Sequence, residues 1–189
     1  DPTHKDDVVA AADWVASRLR AAGAENVSVM PTGGHPCVYG DWLHAGVSQP
    51  TILIYGHFDV QPAVPFELWT TPPFDPDIRD EKVFGRGASD DKGGMLIPIL
   101  SFEAMMKTDG KLPVNIKFIF EGQEEIGSPN MPDFVAENRT LLATDMIFSS
   151  DGLQWKADEP NIVVGLKGLS SMEIKVTGAK SDLHSGLHG

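Results

Sequence analysis

Residues 51–59 read Thr-Ile-Leu-Ile-Tyr-Gly-His-Phe-Asp, and the fold turns on them. The apolar run from Thr51 to Tyr55 has no polar alternation, so it reads as a strand covered on both faces, as in sheets flanked by helices. Working outward, Val114–Phe120 is a second apolar strand and Asp145–Phe148 a further one. Towards the N-terminus, Val27–Met30 and Cys37–Leu43 are strands punctuated by Gly33, Gly34, Pro36 and Gly46. Between them, Val8, Val9, Ala12, Val15, Ala16 and Leu19 recur at helical spacing across Asp6–Ala22, with Gly23 after the last turn. A second helix is expected over Lys92–Lys107, bent early by Pro98, and a short one over Met131–Asn138. Strands alternating with helices predict an α/β sheet with helices on both faces.

The Pro-rich segment from Gln61 to Asp80, containing Trp69, Pro72, Pro73 and Phe74, is too long for a simple connection and reads as a functional or site-lining loop. After Asp151 a polar stretch leads to expected strands at Ile162–Leu166 and Ser170–Thr177. A domain boundary is expected near residue 164, giving segments 1–163 and 164–189. The chain stops at Gly189 within a glycine-containing loop, which suggests that the second segment continues beyond it.

The 15 Lys and Arg against 27 Asp and Glu leave a net charge of −12, which disfavours nucleic-acid and anionic-membrane partners and favours cations. No apolar run approaches the roughly 18 residues of a membrane span, and Asp1–Asp7 do not resemble a signal peptide. One cysteine, Cys37, excludes an internal disulfide framework and a thiolate zinc site, and points to a reducing compartment. Any metal must rest on His, Asp and Glu.

Five clusters carry such residues, most of them at or just beyond strand ends, where open α/β sheets bind ligands. His57 and Asp59 lie at i and i+2, so both address one side of an extended chain; either both bind a metal or Asp59 orients a ligating His57. In GRGASDDKGG, residues 85–94, adjacent Asp90 and Asp91 precede a helix and read equally well as helix caps. In FEGQEEIGS, residues 120–128, adjacent Glu124 and Glu125 can divide work between ligand and general base, or form a plain acidic loop. Asp151 in FSSDG and His184 in DLHSG complete the set, each unremarkable alone. Together, strand ends presenting His, Asp and Glu without thiolates suit one or two divalent cations such as zinc or manganese.

In that order and at those separations, GHFDVQP, GRGASDDKGG, EGQEEIGS, SSDG and DLHSG closely resemble the co-catalytic zinc exopeptidases. That family includes cytosolic non-specific dipeptidases, carnosinases, carboxypeptidase G and the aminoacylases, and Asp151, the VQP motif and the ELWTTPPF loop place the resemblance nearest the dipeptidases. It implies a mixed sheet sandwiched by helices in 1–163, the N-terminal part of a catalytic domain. Residues 164–189 would begin an α+β lid and dimerisation domain with its first strand.

By resemblance, His57 binds one of two divalent metal ions together with Asp151, Asp90 bridges both ions, and Glu125 binds the other. Zinc is the expected metal, with manganese or cobalt as alternatives. Glu124 is then the general base, Asp59 orients His57, and His184 reaches the partner subunit's site in a homodimer to stabilise the oxyanion. The Asp90–Asp91 peptide bond is expected to be cis. The implied activity is hydrolysis of the peptide bond of small peptides in the cytoplasm, with N-acyl amino-acid amide hydrolysis as the alternative. Relatives are longer and supply one further metal-binding His that His4, His35, His44 and His188 do not match, so this chain alone also reads as a non-catalytic metal-binding fragment.

Overall fold

The computed structural model describes residues 2–152, 155–156 and 158–186. The chain divides into two compact units, Asp1–Leu153 and Gln154–Gly189, the first ending several residues before the boundary expected from the sequence.

The first unit is built on a mixed five-stranded sheet. Its strands are β1 (Glu25–Met30), β2 (Cys37–Trp42), β3 (Thr51–His57), β6 (Asn115–Glu121) and β7 (Met146–Ser149), in the spatial order β1-β2-β6-β3-β7. The pairs β1/β2 and β2/β6 are antiparallel, whereas β6/β3 and β3/β7 are parallel. Helices α1 (Lys5–Ala22) and α2 (Lys92–Asp109) cover one face; α3 (Met131–Glu137) and α4 (Arg139–Leu142) cover the other.

The period of two along each strand sorts side chains between the two cores. Val38, Trp42, Ile54, Ile116, Phe118 and Phe120 meet Ala12, Val15, Ala16 and Leu19 of α1 and Met95, Ile99 and Phe102 of α2. The alternate positions Cys37, Tyr39, Leu53 and Ile119 meet Phe134 and Leu142. Lys117 is the charged intruder in the β6 run, and its place is explained by α4. Its Nζ donates to the Leu141 and Ala143 carbonyls at 2.6 and 2.7 Å, satisfying acceptors that a helix C-terminus leaves unpaired. The helix α2 runs through Pro98, which is buried in its second turn.

Cys37 is only 2% exposed, and burial, reinforced by the charge of Glu121, pushes its thiol up to about 12. The thiolate is the reactive species, so at about pH 8 the folded protein should react with a thiol reagent roughly a thousandfold slower than the unfolded chain. Absorbance of released reagent thiol measures both rates; equal rates would contradict this burial.

The long loop after β3 holds an unanticipated two-stranded hairpin, β4 (Asp77–Arg79) with β5 (Lys82–Phe84). Asp80 and Glu81 form its turn, both at positive φ (50° and 61°), a conformation usually signalled by Asn or Gly.

In the second unit the described residues form a bridge between Lys156 and Glu159, and the strands expected at Ile162–Leu166 and Ser170–Thr177 are not formed. Met172, Ile174 and Val176 keep their alternation but are exposed. A strand exists through its ladder, and among the described residues of this unit no second strand offers one. Residues 187–189 of the expected lid segment lie outside the described residues.

Candidate metal centre

The parallel strands β6, β3 and β7 end at the same sheet edge. His57 closes β3 directly opposite Glu121, the last residue of β6, and Asp151 follows β7 by two positions. The Asp90 segment reaches this edge immediately before α2, and its Asp90–Asp91 peptide bond is cis. The sequence places His57 beyond the apolar strand; the ladder in fact extends through it, so its backbone is fixed by sheet hydrogen bonding.

The His57 side chain is fully buried and its two nitrogens face different partners. Nδ1 lies 3.2 Å from the Asp59 carbonyl and 3.4 Å from its carboxylate Oδ1. Donation from Nδ1 to that carbonyl leaves Nε2 directed at carboxylates: Asp90 Oδ1 at 3.1 Å, Asp151 Oδ2 at 3.6 Å and Glu124 Oε2 at 3.8 Å. Burial lowers the affinity of this imidazole for a proton. The Asp59 hydrogen bond and the charges of Asp59, Glu124 and Asp91 outweigh it and raise the pKa to about 9.

His57, Asp90 and Asp151 offer ligand atoms that all lie within 4.8 Å of one another. Among the described residues, no Lys or Arg forms an ion pair with Asp90, Glu124, Glu125 or Asp151. One imidazole and several carboxylates converging without a basic side chain to neutralise them fit a divalent cation.

Asp91 lies beneath this group. Its side chain is buried, its Oδ2 accepts the His57 N–H at 3.2 Å, and its Oδ1 has no partner. Burial is the main cause raising its pKa to about 6, with the charges of Asp151 and Asp90 adding to it and His57 opposing. Gly94 is required here, since a Cβ at that position would collide with Asp91 Oδ1.

Asp59 does more than the sequence suggests. Besides flanking His57, its two carboxylate oxygens accept the N–H groups of Glu124 at 3.2 Å and Glu125 at 3.1 Å, fixing the turn on which both glutamates sit. Asp59→Ala should therefore weaken divalent-cation binding by about 10- to 100-fold, measured by calorimetric titration of the metal-free protein. An unchanged affinity would show that Asp59 supports neither His57 nor the turn.

The paired glutamates differ. The Glu124 carboxyl is held above the usual range, by burial first and then by the charges of Asp151, Glu125 and Asp59 against the lowering influence of His57. Glu125 is not drawn into the His57 group. Gln61 holds it instead, through its N–H to Oε1 at 3.2 Å and its side-chain amide to Oε2 and to the main-chain carbonyl, both at 2.9 Å. Gln61 belongs to the VQP motif, but the sequence carried no signal of that grip. His184 belongs to the second unit, where its Nδ1 accepts the Gly186 N–H at 3.1 Å.

This mixed sheet flanked by helices is also found in solved peptidase structures. The crystal structure of human carnosine dipeptidase 1 matches with a TM-score of 0.72 at 32% identity, over 82% of this chain and 35% of that one. Residues 53–181 match the model of peptidase family M20/M25/M40, and the chain belongs to that family. The Cys-Gly metallodipeptidase of Schizosaccharomyces pombe is 36% identical over all of this chain and 42% of its own length. The Beta-Ala-His dipeptidase of Mus musculus is 35% identical over 92% of this chain and 38% of its own. The chain thus spans about two fifths of the curated relatives it matches. No helix among the described residues is long and apolar enough to cross a membrane.

Proposed function

We propose that this chain supplies the N-terminal part of the catalytic domain, residues 1–163, of a metal-dependent dipeptidase, and that residues 164–189 open its lid and dimerisation domain. The convergence of His57 Nε2 with Asp90 and Asp151, with Glu124 at its side, carries the reading. Relatives named as dipeptidases support the substrate class.

In this reading His57, Asp90 and Asp151 would hold a divalent ion and Glu125, on release from Gln61, would help to hold a second, zinc being the metal expected. Divalent ions held there would supply polarisation of the scissile carbonyl and acidification of water. Glu124 accepts the proton of the water whose oxygen attacks the carbonyl carbon. As the C–N bond breaks, Glu124 returns that proton to the departing amine. Its raised pKa suits a group that must take and give a proton in one cycle. Asp59 keeps Nδ1 of His57 engaged and the glutamate turn in place. His184, from the partner subunit of a homodimer, stabilises the oxyanion. The acidic surface and the single, buried, unpaired cysteine support a cytoplasmic enzyme that binds neither nucleic acid nor membrane.

The test is amine release from dipeptides and their N-acetylated counterparts, using the polypeptide of the complete reading frame loaded with zinc or manganese. Cleavage of the free dipeptides alone is expected. Cleavage of only the acetylated compounds would move the protein to the N-acyl amidohydrolases, and no cleavage with metal bound would leave a metal-binding role.

A further inference from the structure

We propose that Glu121 is a positioning residue for the reaction: its buried carboxylate, gripped by Tyr55 and Ser128, sets the turn that presents Glu124 to His57. The proposal rests on the dipeptidase reading only for the role of Glu124.

The turn leaving β6 has a difficult task. It must keep Glu124 beside Glu125 and within the field of Asp59 and Asp151, so like charges press it outward from the sheet edge. Asp59 holds its first two N–H groups, but as another carboxylate it adds to that charge. The far end is closed by Ser128, whose N–H donates to the Gln123 carbonyl at 2.9 Å. Ser128 stands at φ 50°, a left-handed conformation that a residue with a Cβ adopts only when surrounding contacts enforce it.

The enforcing contact is Glu121. Its Oε1 accepts the Ser128 hydroxyl at 2.9 Å and the Tyr55 hydroxyl at 2.7 Å. One oxygen thus ties the end of the turn to β3, two positions before His57. Glu121 is 2% exposed, and such burial is costly for a carboxylate unless its lone pairs are engaged. Its main-chain carbonyl also receives the Phe58 N–H at 2.9 Å, so Glu121 braces both strand ends from which His57 and Glu124 depart. Charge-assisted bonds from two neutral hydroxyls are strong and directional, whereas a hydrophobic residue here would fill the volume and free the turn.

The experiment uses the protein of the complete reading frame with Ser128→Ala, Tyr55→Phe, Glu121→Ala and Glu121→Gln. Ser128 is only partly buried, so Ser128→Ala removes one donor without opening the core, and it decides the matter even where Glu121→Ala does not fold. Hydrogen–deuterium exchange of the Glu124 and Glu125 amides is followed in the metal-free protein, and kcat and KM for a cleaved dipeptide in the metal-loaded one. Ser128→Ala should speed exchange of those amides about tenfold or more while protection across β2 and β3 stays as it was. It should lower kcat by a similar factor with KM within about twofold, and Glu121→Gln, which keeps an acceptor, should recover most of what Glu121→Ala loses.

Unmoved exchange in Ser128→Ala overturns the proposal, as does loss of protection spread evenly through the sheet, or faster exchange with kcat unmoved. If the unsubstituted protein cleaves no peptide, the dipeptidase reading fails, and the exchange measurement alone decides whether Glu121 sets the turn.

Discussion

Glu124→Gln is expected to lower kcat by about 10²- to 10⁴-fold, the range over which a positioned general base contributes, while bound metal per chain stays constant. The substitution keeps the volume and removes the basic oxygen. Glu124 approaches the ligand group from outside it: the atoms that gather around one point are those of His57, Asp90 and Asp151, and Glu124 Oε2 stands 3.8 Å from His57 Nε2. Its amide N–H, not its side chain, is what Asp59 holds. Removing the carboxylate should therefore spare both the metal and the turn. Elemental analysis beside steady-state kinetics separates the possibilities. Metal loss in step with activity would make Glu124 a ligand, and full activity would deny it any part in proton transfer.

The second large effect concerns the core. Phe118→Ala should destabilise the first unit by about 3–5 kcal/mol, the usual result of emptying a fully buried aromatic site. Phe118 is fully buried on β6, between β2 and β3, where neither edge of the sheet can relax into the space it leaves. Its ring meets Phe102 of α2 edge-on, with centroids 5.4 Å apart at 73°, and Phe120 at 6.0 Å. The cavity would open where α2 is seated, and α2 begins directly after Asp90 and Asp91. For a unit of this size each kcal/mol shifts the midpoint by about 2–4 °C, so Tm should fall on the order of 10 °C. Urea unfolding followed by circular dichroism gives the free energy. A loss below about 1 kcal/mol would mean that α2 closes over the gap, and divalent-cation binding should then weaken as Asp90 moves with it.

The residues that made the fold legible carry strong, local signals. TILIY and NIKFIF are apolar enough to leave no choice but a covered sheet, and α1 displays its stripe openly. The β4/β5 hairpin escaped because Asp80 and Glu81 take positive φ without glycine, so its turn chemistry is invisible to composition. The lid strands failed for the opposite reason: Ser170–Thr177 has the right alternation, but pairing is not a property of one segment.

Within the site, His57, Asp90 and Asp151 could be singled out because they follow strands or open a helix. Resemblance makes Glu125 a ligand; that Gln61 also grips its carboxylate, a contact across 64 positions, is something no local pattern encodes. Asp59 and Glu121 carried no sign of their bonds to the glutamate turn, because each acts through partners brought close only by the β3/β6 register.

The insertion of β6 between β2 and β3 also governs how the unit can be assembled during synthesis. β2 and β3 are neighbours in sequence yet do not pair, so His57 leaves the ribosome on a strand whose ladder partner arrives only with residues 115–121. Until then TILIY is an apolar segment with nothing to pair to, a situation that invites chaperone capture or aggregation. Closing so long a connection makes the parallel pairing slow compared with formation of α1 and the β1/β2 ribbon. A nascent chain should therefore acquire cation affinity late and abruptly, once β6 has fixed His57 and β7 has paired with β3 to bring Asp151 to it.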